Sequence, residues 1–261
     1  MAADRESARR LRALGRVREH TSDSSSELVE LRLKPLDGAA VRLRPGTADV
    51  DTLWAALVRG HHRPPGAVTP GAGAAGSVRR IWDLGCNIGL TMADMAVRFP
   101  AAEVVGVELD ADNVELARRN LAPWGGRCRV IHAAVWPLDG EVWYHRWAGA
   151  TSGYRVAAPE RQAEPEGPVA PALSLSSLLE REGGGARIDY VKMDVEGAEK
   201  QLLRESVGWA ESVRSLKVEV HEPYTVEECL ADVAALGFSA SRDPRHPAAV
   251  VGVRVRPSHP A

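Results

Sequence analysis

An α/β fold, a sheet with helices on both faces, is predicted by three observations. The apolar pair Ile81-Trp82 runs into Asp83-Leu84-Gly85, with Asn87 and Gly89 next, and a helical pattern covers residues 90–99. A second apolar run, residues 104–107, ends in the acid Glu108, and another helical pattern starts at Ala111. A third run, residues 188–193, ends in Asp194, turns at Gly197 and continues as a helix to about residue 205. Apolar runs of strand length alternating with helical periods mark strand–helix–strand units.

Residues 80–120 thus form a strand, a Gly-rich turn, a helix, a strand and an acid. Such a unit holds a ligand with a nucleoside: the glycines let the backbone approach it, and the carboxylate bonds the ribose hydroxyls. Gly85, Asn87 and Gly89 lack the three-glycine spacing that crowds a pyrophosphate, which argues against a nicotinamide-dependent dehydrogenase. No Lys-Ser/Thr pair follows to hold a triphosphate. An acid inside the turn, Asp83, repels phosphates but suits the ammonium of a zwitterionic cofactor, and S-adenosylmethionine is such a cofactor. DLGCNIG followed by VVGVELD resembles motifs of the Rossmann-like methyltransferases.

The 261 residues suffice for one large α/β domain with an appendage. Apolar residues at 44% and charged residues at 26% fit a globular protein. A net charge of -2 makes no electrostatic case for a nucleic-acid partner. Cys86, Cys128 and Cys229 are scattered and form neither a metal-type spacing nor a disulfide framework. No apolar run is long enough to span a bilayer, and the N-terminus lacks a hydrophobic signal core. The expectation is a cytoplasmic protein without a membrane partner.

Residues 1–20 place Leu11, Leu14 and Val17 at helical spacing among arginines, a helix that docks on the body or pairs with another subunit as a homodimer. Residues 21–26 are a polar linker. Residues 28–33 and 41–44 alternate around a turn at Pro35-Leu36-Asp37-Gly38 and predict a hairpin. A helix follows over 51–58, with Asp49 or Asp51 as its cap, and Arg44 and Asp49 are candidates for a lid edge. Residues 60–78, with the adjacent His61 and His62, are a low-complexity loop. The division expected is a cap region over 1–78 and a core over 79–261.

Within the core, a strand over 128–131 leads to His132 and Ala133, placed beside an adenine ring in this fold. Residues 140–147 alternate and predict an added hairpin, and 149–172 a long loop whose Thr151, Ser152, Gly153 and Tyr154 are candidates for substrate contact. A short helix over 173–179 precedes the strand that ends in Asp194. The next strand, 212–221, ends with Glu219, His221 and Glu222. Thr225 with Glu228 forms a capping box for a helix over 224–236, and an antiparallel pair begins at Phe238 and closes with residues 249–255.

RPGTADVDTLW (44–54), DLGCNIGLT (83–91), VVGVELDADNVELARRN (104–120), YVKMDVEGAEKQLL (190–203) and LKVEVHE (216–222) together resemble the FkbM-type methyltransferase family. The resemblance spans about residues 28–256, and the DVEGAE block is its most specific part. It implies a Rossmann-like class I methyltransferase sheet with an antiparallel C-terminal strand pair, an N-terminal hairpin and helix appendage, and S-adenosylmethionine as cofactor. It implies a cofactor site drawn from Asp83, Gly85, Asn87, Gly89 and the threonine that ends DLGCNIGLT, Thr91, with Met92 after it. Glu108, Leu109, Asn113, His132, Ala133 and Asp194 complete that site.

The expected reaction is O-methylation of a hydroxyl on a small molecule, a sugar or specialised-metabolite scaffold. N-methylation and a non-catalytic nucleoside-binding module are the alternatives. A hydroxyl needs a base within hydrogen-bond reach. His221 is the first candidate, because its ordinary pKa is about 6.5 and it ends a strand on the ligand side. Asp194 is the rival, and Glu196 is the third catalytic candidate. Asp194 with Glu196 or His221 could hold magnesium, but no resident metal is expected.

Overall fold

The computed structural model describes residues 1–14, 27–66, 78–145, 152–156 and 167–254. Its centre is a seven-stranded mixed sheet. Strands β3 (Arg80–Leu84), β4 (Glu103–Glu108) and β5 (Cys128–His132) alternate with helices α3 (Leu90–Arg98) and α4 (Ala111–Leu121). Strands β10 (Tyr190–Met193) and β11 (Ser215–Glu219) alternate with α6 (Glu199–Arg204) and α7 (Val226–Ala235). The chain ends in β12 (Phe238–Arg242) and β13 (Ala249–Arg254). The order is β12-β13-β11-β10-β3-β4-β5, parallel except for β13, which runs antiparallel to both of its neighbours. This is the class I methyltransferase sheet with its closing antiparallel pair.

Both faces of the sheet are covered, as the near-continuous apolar strands require. Side chains alternate along each strand, so Trp82, Leu84, Val105, Val191 and Met193 enter one core with α6 and α7. Ile81, Val104 and Tyr190 enter the other, with α3 and the N-terminal segment. Trp82 is 1% exposed at the centre of the first core. Trp82→Ala is expected to cost about 3–5 kcal/mol by leaving a cavity. A urea midpoint that moves by less than the equivalent of about 1 kcal/mol would show that the site collapses around the gap.

The N-terminal elements pack on the second core. Helix α1 (Arg5–Leu14) docks on β1 (Val29–Arg32), where the Ser7 hydroxyl accepts the Arg32 N–H at 2.8 Å and Arg10 reaches Glu30 O at 3.1 Å. This helix packs on the body of its own chain. The remainder of residues 1–20 and the linker 21–26 fall outside the described residues. β1 pairs with β2 (Ala40–Leu43) as the predicted hairpin. The buried Asn120 fastens β2 to the core, accepting from Arg42 N at 2.7 Å and donating to Ile88 O at 3.0 Å. Helix α2 (Asp49–Trp54) continues as a wider turn over Ala55–Arg59.

Asp49 does not cap α2, nor does Asp51, because the helix starts without a side-chain cap. Asp49 is fully buried and takes both the Nε and Nη2 of Arg44, whose Nη2 also donates to Asn113 at 2.7 Å. Arg44 and Asp49 are therefore a brace between the appendage and α4. Residues 67–77 of the low-complexity loop lie outside the described residues.

The expected loop over 149–172 differs from what is found. Four short strands, β6 (Ala134–Val135), β7 (Gly140–His145), β8 (Arg155–Val156) and β9 (Val169–Leu173), form a second sheet in the order β6-β9-β7-β8. The alternation over 140–147 reads a strand correctly, but its main partner is β9, more than twenty residues on, and not an adjacent hairpin arm. Long-range pairing has no local sequence signal. Helix α5 (Leu175–Glu182) follows, capped by Ser174. Thr151 and residues 157–166 are outside the described residues. No helix among the described residues is long and apolar enough to cross a membrane.

Candidate active site

The turn after β3 and the ends of β4, β5 and β10 open on one cavity of about 210 Å³. Gly85 has φ 78, and a Cβ there would lie 1.8 Å from the Asp194 carbonyl oxygen. Only glycine lets this turn pack against the end of β10. Asn87 takes φ 48, a left-handed conformation that asparagine tolerates. Its N–H donates to Glu108 Oε2 at 2.9 Å, while Glu108 Oε1 accepts the Asp110 N–H at 2.9 Å. Gly89, with φ 81, stands at the start of α3.

Glu108 is buried, and burial pushes its carboxyl up to about 7 against the pull of the Asp110 and Asn87 N–H groups and the Asn113 side chain. A carboxylate offers about four acceptor sites, so it can still accept from a ribose hydroxyl. Leu109, Ala133, Ala134 and Val135 line the wall beyond it with small or apolar surface, which fits an adenine ring. His132 does not belong to this wall: its Nε2 lies 3.0 Å from the Leu109 carbonyl oxygen. The residue types therefore fit an adenosine, with an acid for the ribose and a flat apolar slot for the base.

Asp83, at the end of β3, is fully buried behind the turn. Its Oδ2 accepts the Thr91 hydroxyl, and its Oδ1 lies 3.3 Å from Lys192 Nζ. Lys192 also reaches Asp194 Oδ2 at 3.0 Å and donates to the Gly85 carbonyl at 3.0 Å. Burial disfavours the ammonium, but the charges of Asp194 and Asp83 outweigh it and raise the Lys192 pKa. Lys192 links the turn, β3 and β10 by charge, and breaking such a buried cluster at one member leaves an uncompensated charge.

At the end of β10, Asp194 and Glu196 line the cavity, and Glu196 is held at φ 55. Burial raises both carboxyls, with the Lys192 charge opposing at Asp194 and the Asp194 charge adding at Glu196. His221 stands behind them. Its Nδ1 is 2.8 Å from Glu199, which is fully buried, and its Nε2 is 3.3 Å from Glu196 and 3.7 Å from Asp194. Glu199 also accepts the N–H groups of Val195 and Gly197, each at 3.2 Å. Burial lowers the His221 pKa, but the hydrogen bond to Glu199 and the charges of Glu199, Glu196 and Asp194 overcome it and carry it up to about 9. The free-histidine pKa expected from the sequence is therefore corrected by three acids the strand end could not reveal. Its anchor is Glu199, not Glu219 or Glu222; Glu219 instead faces His246 at 3.4 Å.

Asp194, Glu219 and His221 offer donor atoms within 4.8 Å of one another, a set that could take a hard cation. The Lys192 ammonium beside Asp194 already supplies positive charge there.

The structure brings Gly85, Asn87, Thr91, Glu108, Leu109, Asn113, Ala133, Asp194 and Glu196 to one cavity wall. Asp83, Gly89, His132 and His221 are not among the residues that line it, and Met92, on α3, packs in the core. Ser152, Gly153 and Tyr154 also line the cavity. The sequence reading missed Lys192 and Lys217, which pair in register on β10 and β11. A lysine inside an apolar strand was the available signal, since a buried lysine requires an acidic partner.

The family model for the methyltransferase FkbM domain matches residues 83–239, more than half of the chain. No curated protein sequence matches it. Among solved structures, a precorrin-6y C5,15-methyltransferase from Geobacter metallireducens shares 10% identity at TM-score 0.41, covering 68% of this chain and 80% of its own. A putative RNA methyltransferase from Pyrococcus horikoshii shares 14% identity at TM-score 0.38, covering 98% and 99%. The sugar N-methyltransferase KedS8 from Streptoalloteichus shares 15% identity at TM-score 0.39, covering 69% and 81%. Likenesses this distant carry no argument about the acceptor. The family match coincides with the Gly85 turn, the Glu108 acid and the Asp194–Glu199 block, and the chain belongs to the FkbM family of S-adenosylmethionine-dependent methyltransferases.

Proposed function

We propose that the chain methylates a hydroxyl of a small molecule, a sugar or specialised-metabolite scaffold, in the cytosol. The Glu199–His221 pair carries this reading. A hydroxyl becomes a good nucleophile only when a base takes its proton, whereas a neutral amine needs none. His221 has a fixed ring, with Nδ1 held by Glu199 and Nε2 directed to the acids at the cavity wall.

When bound, S-adenosylmethionine would supply an activated methyl group to the acceptor oxygen and leave as the neutral thioether S-adenosylhomocysteine. Asp194 orients the acceptor, His221 Nε2 takes its proton, and Glu196 stabilises the resulting imidazolium. The backbone around Gly85 and the Glu108 carboxylate fix the adenosine, so positioning contributes to the rate. Residues 1–78 act as a cap, supported by Thr52, Ala55, Ala56 and the loop histidines on the cavity wall.

The test is methyl transfer to hydroxyl and amine acceptors between about pH 6 and pH 10. A base must be deprotonated to act, so activity is lost as pH falls through its pKa. With His221 at about 9, kcat/KM is expected to rise across an alkaline limb. A profile already flat from about pH 7 would assign the proton to a carboxylate instead. A second reading, methylation of an amine, is favoured by the acids Asp194, Glu196 and Glu219 on the cavity wall, which would hold an ammonium form. Faster transfer to amines than to hydroxyls would select it.

A further inference from the structure

The segment RPGTAD, which joins β2 to α2, closes on itself. Gly46 turns at φ 72, and the Thr47 hydroxyl donates to the Arg44 carbonyl at 2.9 Å and accepts the Asp49 N–H at 3.2 Å. The turn brings Asp49 back onto Arg44. The buried carboxylate takes the Arg44 main-chain N–H at 2.8 Å, Nε at 3.0 Å and Nη2 at 2.8 Å. A forked pair of bonds between a planar guanidinium and a carboxylate fixes the plane and the direction of the side chain. So held, Arg44 Nη2 reaches α4 and donates to Asn113 Oδ1 at 2.7 Å.

That contact decides which way the Asn113 amide points. A guanidinium only donates, so the amide offers its oxygen to Arg44 and its NH2 to the other side. Glu108 is on the other side, and the Asn113 side chain hydrogen-bonds it. The Asn113 backbone is itself fixed, with its N–H on Asp110 Oδ1 at 3.1 Å. Glu108 therefore receives three donors, the N–H groups of Asn87 and Asp110 and the Asn113 amide. A carboxylate has about four acceptor positions, so the one left over has a fixed direction. With the amide reversed, its oxygen would face the carboxylate, acceptor against acceptor. Asn113 and Glu108 both line the cavity, and Arg44 is not among the lining residues.

We propose that Arg44 is a positioning residue for the cofactor: by holding the Asn113 amide with its NH2 on Glu108, it keeps that carboxylate turned to accept from the ribose. The appendage then bears on cofactor affinity through a residue that acts only by way of Asn113. The inference rests on the placement of the ribose at Glu108, and no methyl acceptor enters it.

The experiment is titration calorimetry of S-adenosylhomocysteine on the full chain across about pH 6 to pH 9. Arg44→Met combined with Asp49→Asn removes the guanidinium without leaving Asp49 as an uncompensated buried charge. It is expected to weaken binding about three- to tenfold at about pH 7.5. The pH below which affinity falls is expected to rise by about one unit, because Glu108 loses a donor that favours its charged form. The titratable groups facing Glu108 are Asp110, the Cys86 thiol and its register partner His132, whose ring turns to the Leu109 carbonyl. None of them changes in the variant. In a Glu108→Gln background the same pair of substitutions is expected to add nothing, since a residue that acts through Glu108 has no effect once Glu108 is gone. Asn113→Asp keeps an acceptor for Arg44 and loses the donor to Glu108. It is expected to raise the midpoint likewise, with the Arg44–Asp49 pair intact. Equal weakening in both backgrounds would make Arg44 a structural residue and overturn the inference, as would a midpoint left at its wild-type value in either variant. A Glu108→Gln protein that binds as tightly as wild type would overturn the ribose placement itself, and this inference with it.

Discussion

His221→Ala lowers turnover by about 10²–10⁴-fold, the range for a lost general base, and leaves the affinity for S-adenosylmethionine nearly unchanged. The split follows from position. His221 stands behind Asp194 and Glu196, with Nδ1 held by Glu199 at 2.8 Å and Nε2 3.3 Å from Glu196. The alkaline limb set by its raised pKa disappears in the same variant. Asp194→Asn also lowers turnover, but it weakens the cofactor too, because Asp194 neutralises Lys192, which holds the Gly85 carbonyl. Turnover of both variants is measured with the true acceptor, with and without a chelator, and chelation is expected to leave wild-type turnover intact. If His221→Ala keeps wild-type turnover through the alkaline range, the histidine is structural and the base is Asp194 or Glu196. Loss of wild-type turnover on chelation would shift attention to the donor atoms of Asp194, Glu219 and His221.

Glu108→Gln raises the dissociation constant of S-adenosylmethionine by about ten- to hundredfold. A carboxylate–hydroxyl hydrogen bond is worth about 1.5–3 kcal/mol, and about 1.4 kcal/mol is a factor of ten. The glutamine keeps the size of the side chain, so the turn's packing is disturbed less than by alanine. The wild-type protein adds a pH signature. Burial raises Glu108 to about 7, so the group becomes protonated as pH falls through that value and loses its strength as an acceptor. Wild-type cofactor affinity therefore falls below about pH 7, and the Glu108→Gln variant is flat there. Calorimetry at several pH values checks both; an unchanged dissociation constant in the variant would place the ribose elsewhere.

The parallel core, its closing antiparallel pair and the cofactor turn were legible because each is written locally. Apolar runs of strand length, a glycine that must turn and an acid at a strand end need only a few consecutive residues. The capping box at Thr225 and Glu228 was legible for the same reason. The second sheet was not, since β7 finds β9 across residues that carry no pairing signal.

The site divides along the same line. The amino-acid sequence by itself determined the family and the cofactor class, and it picked out the strand ends as candidates: Asp83, Glu108, Asp194 and His221 all follow from apolar runs that stop. Only the tertiary structure decided what those groups are chemically. Asp83 lies against Lys192, Asp49 is locked to Arg44, His132 turns to a backbone carbonyl, and the His221 pKa is raised by Glu199, Glu196 and Asp194. The physical reason is that a protonation state depends on burial and on charges within a few ångströms, and those charges arrive from strands and loops far apart in the chain. His62 is the extreme case. As one of two adjacent histidines in a Pro/Gly-rich loop it reads as solvent-exposed, and only the fold carries it to Asp94 and the cavity wall.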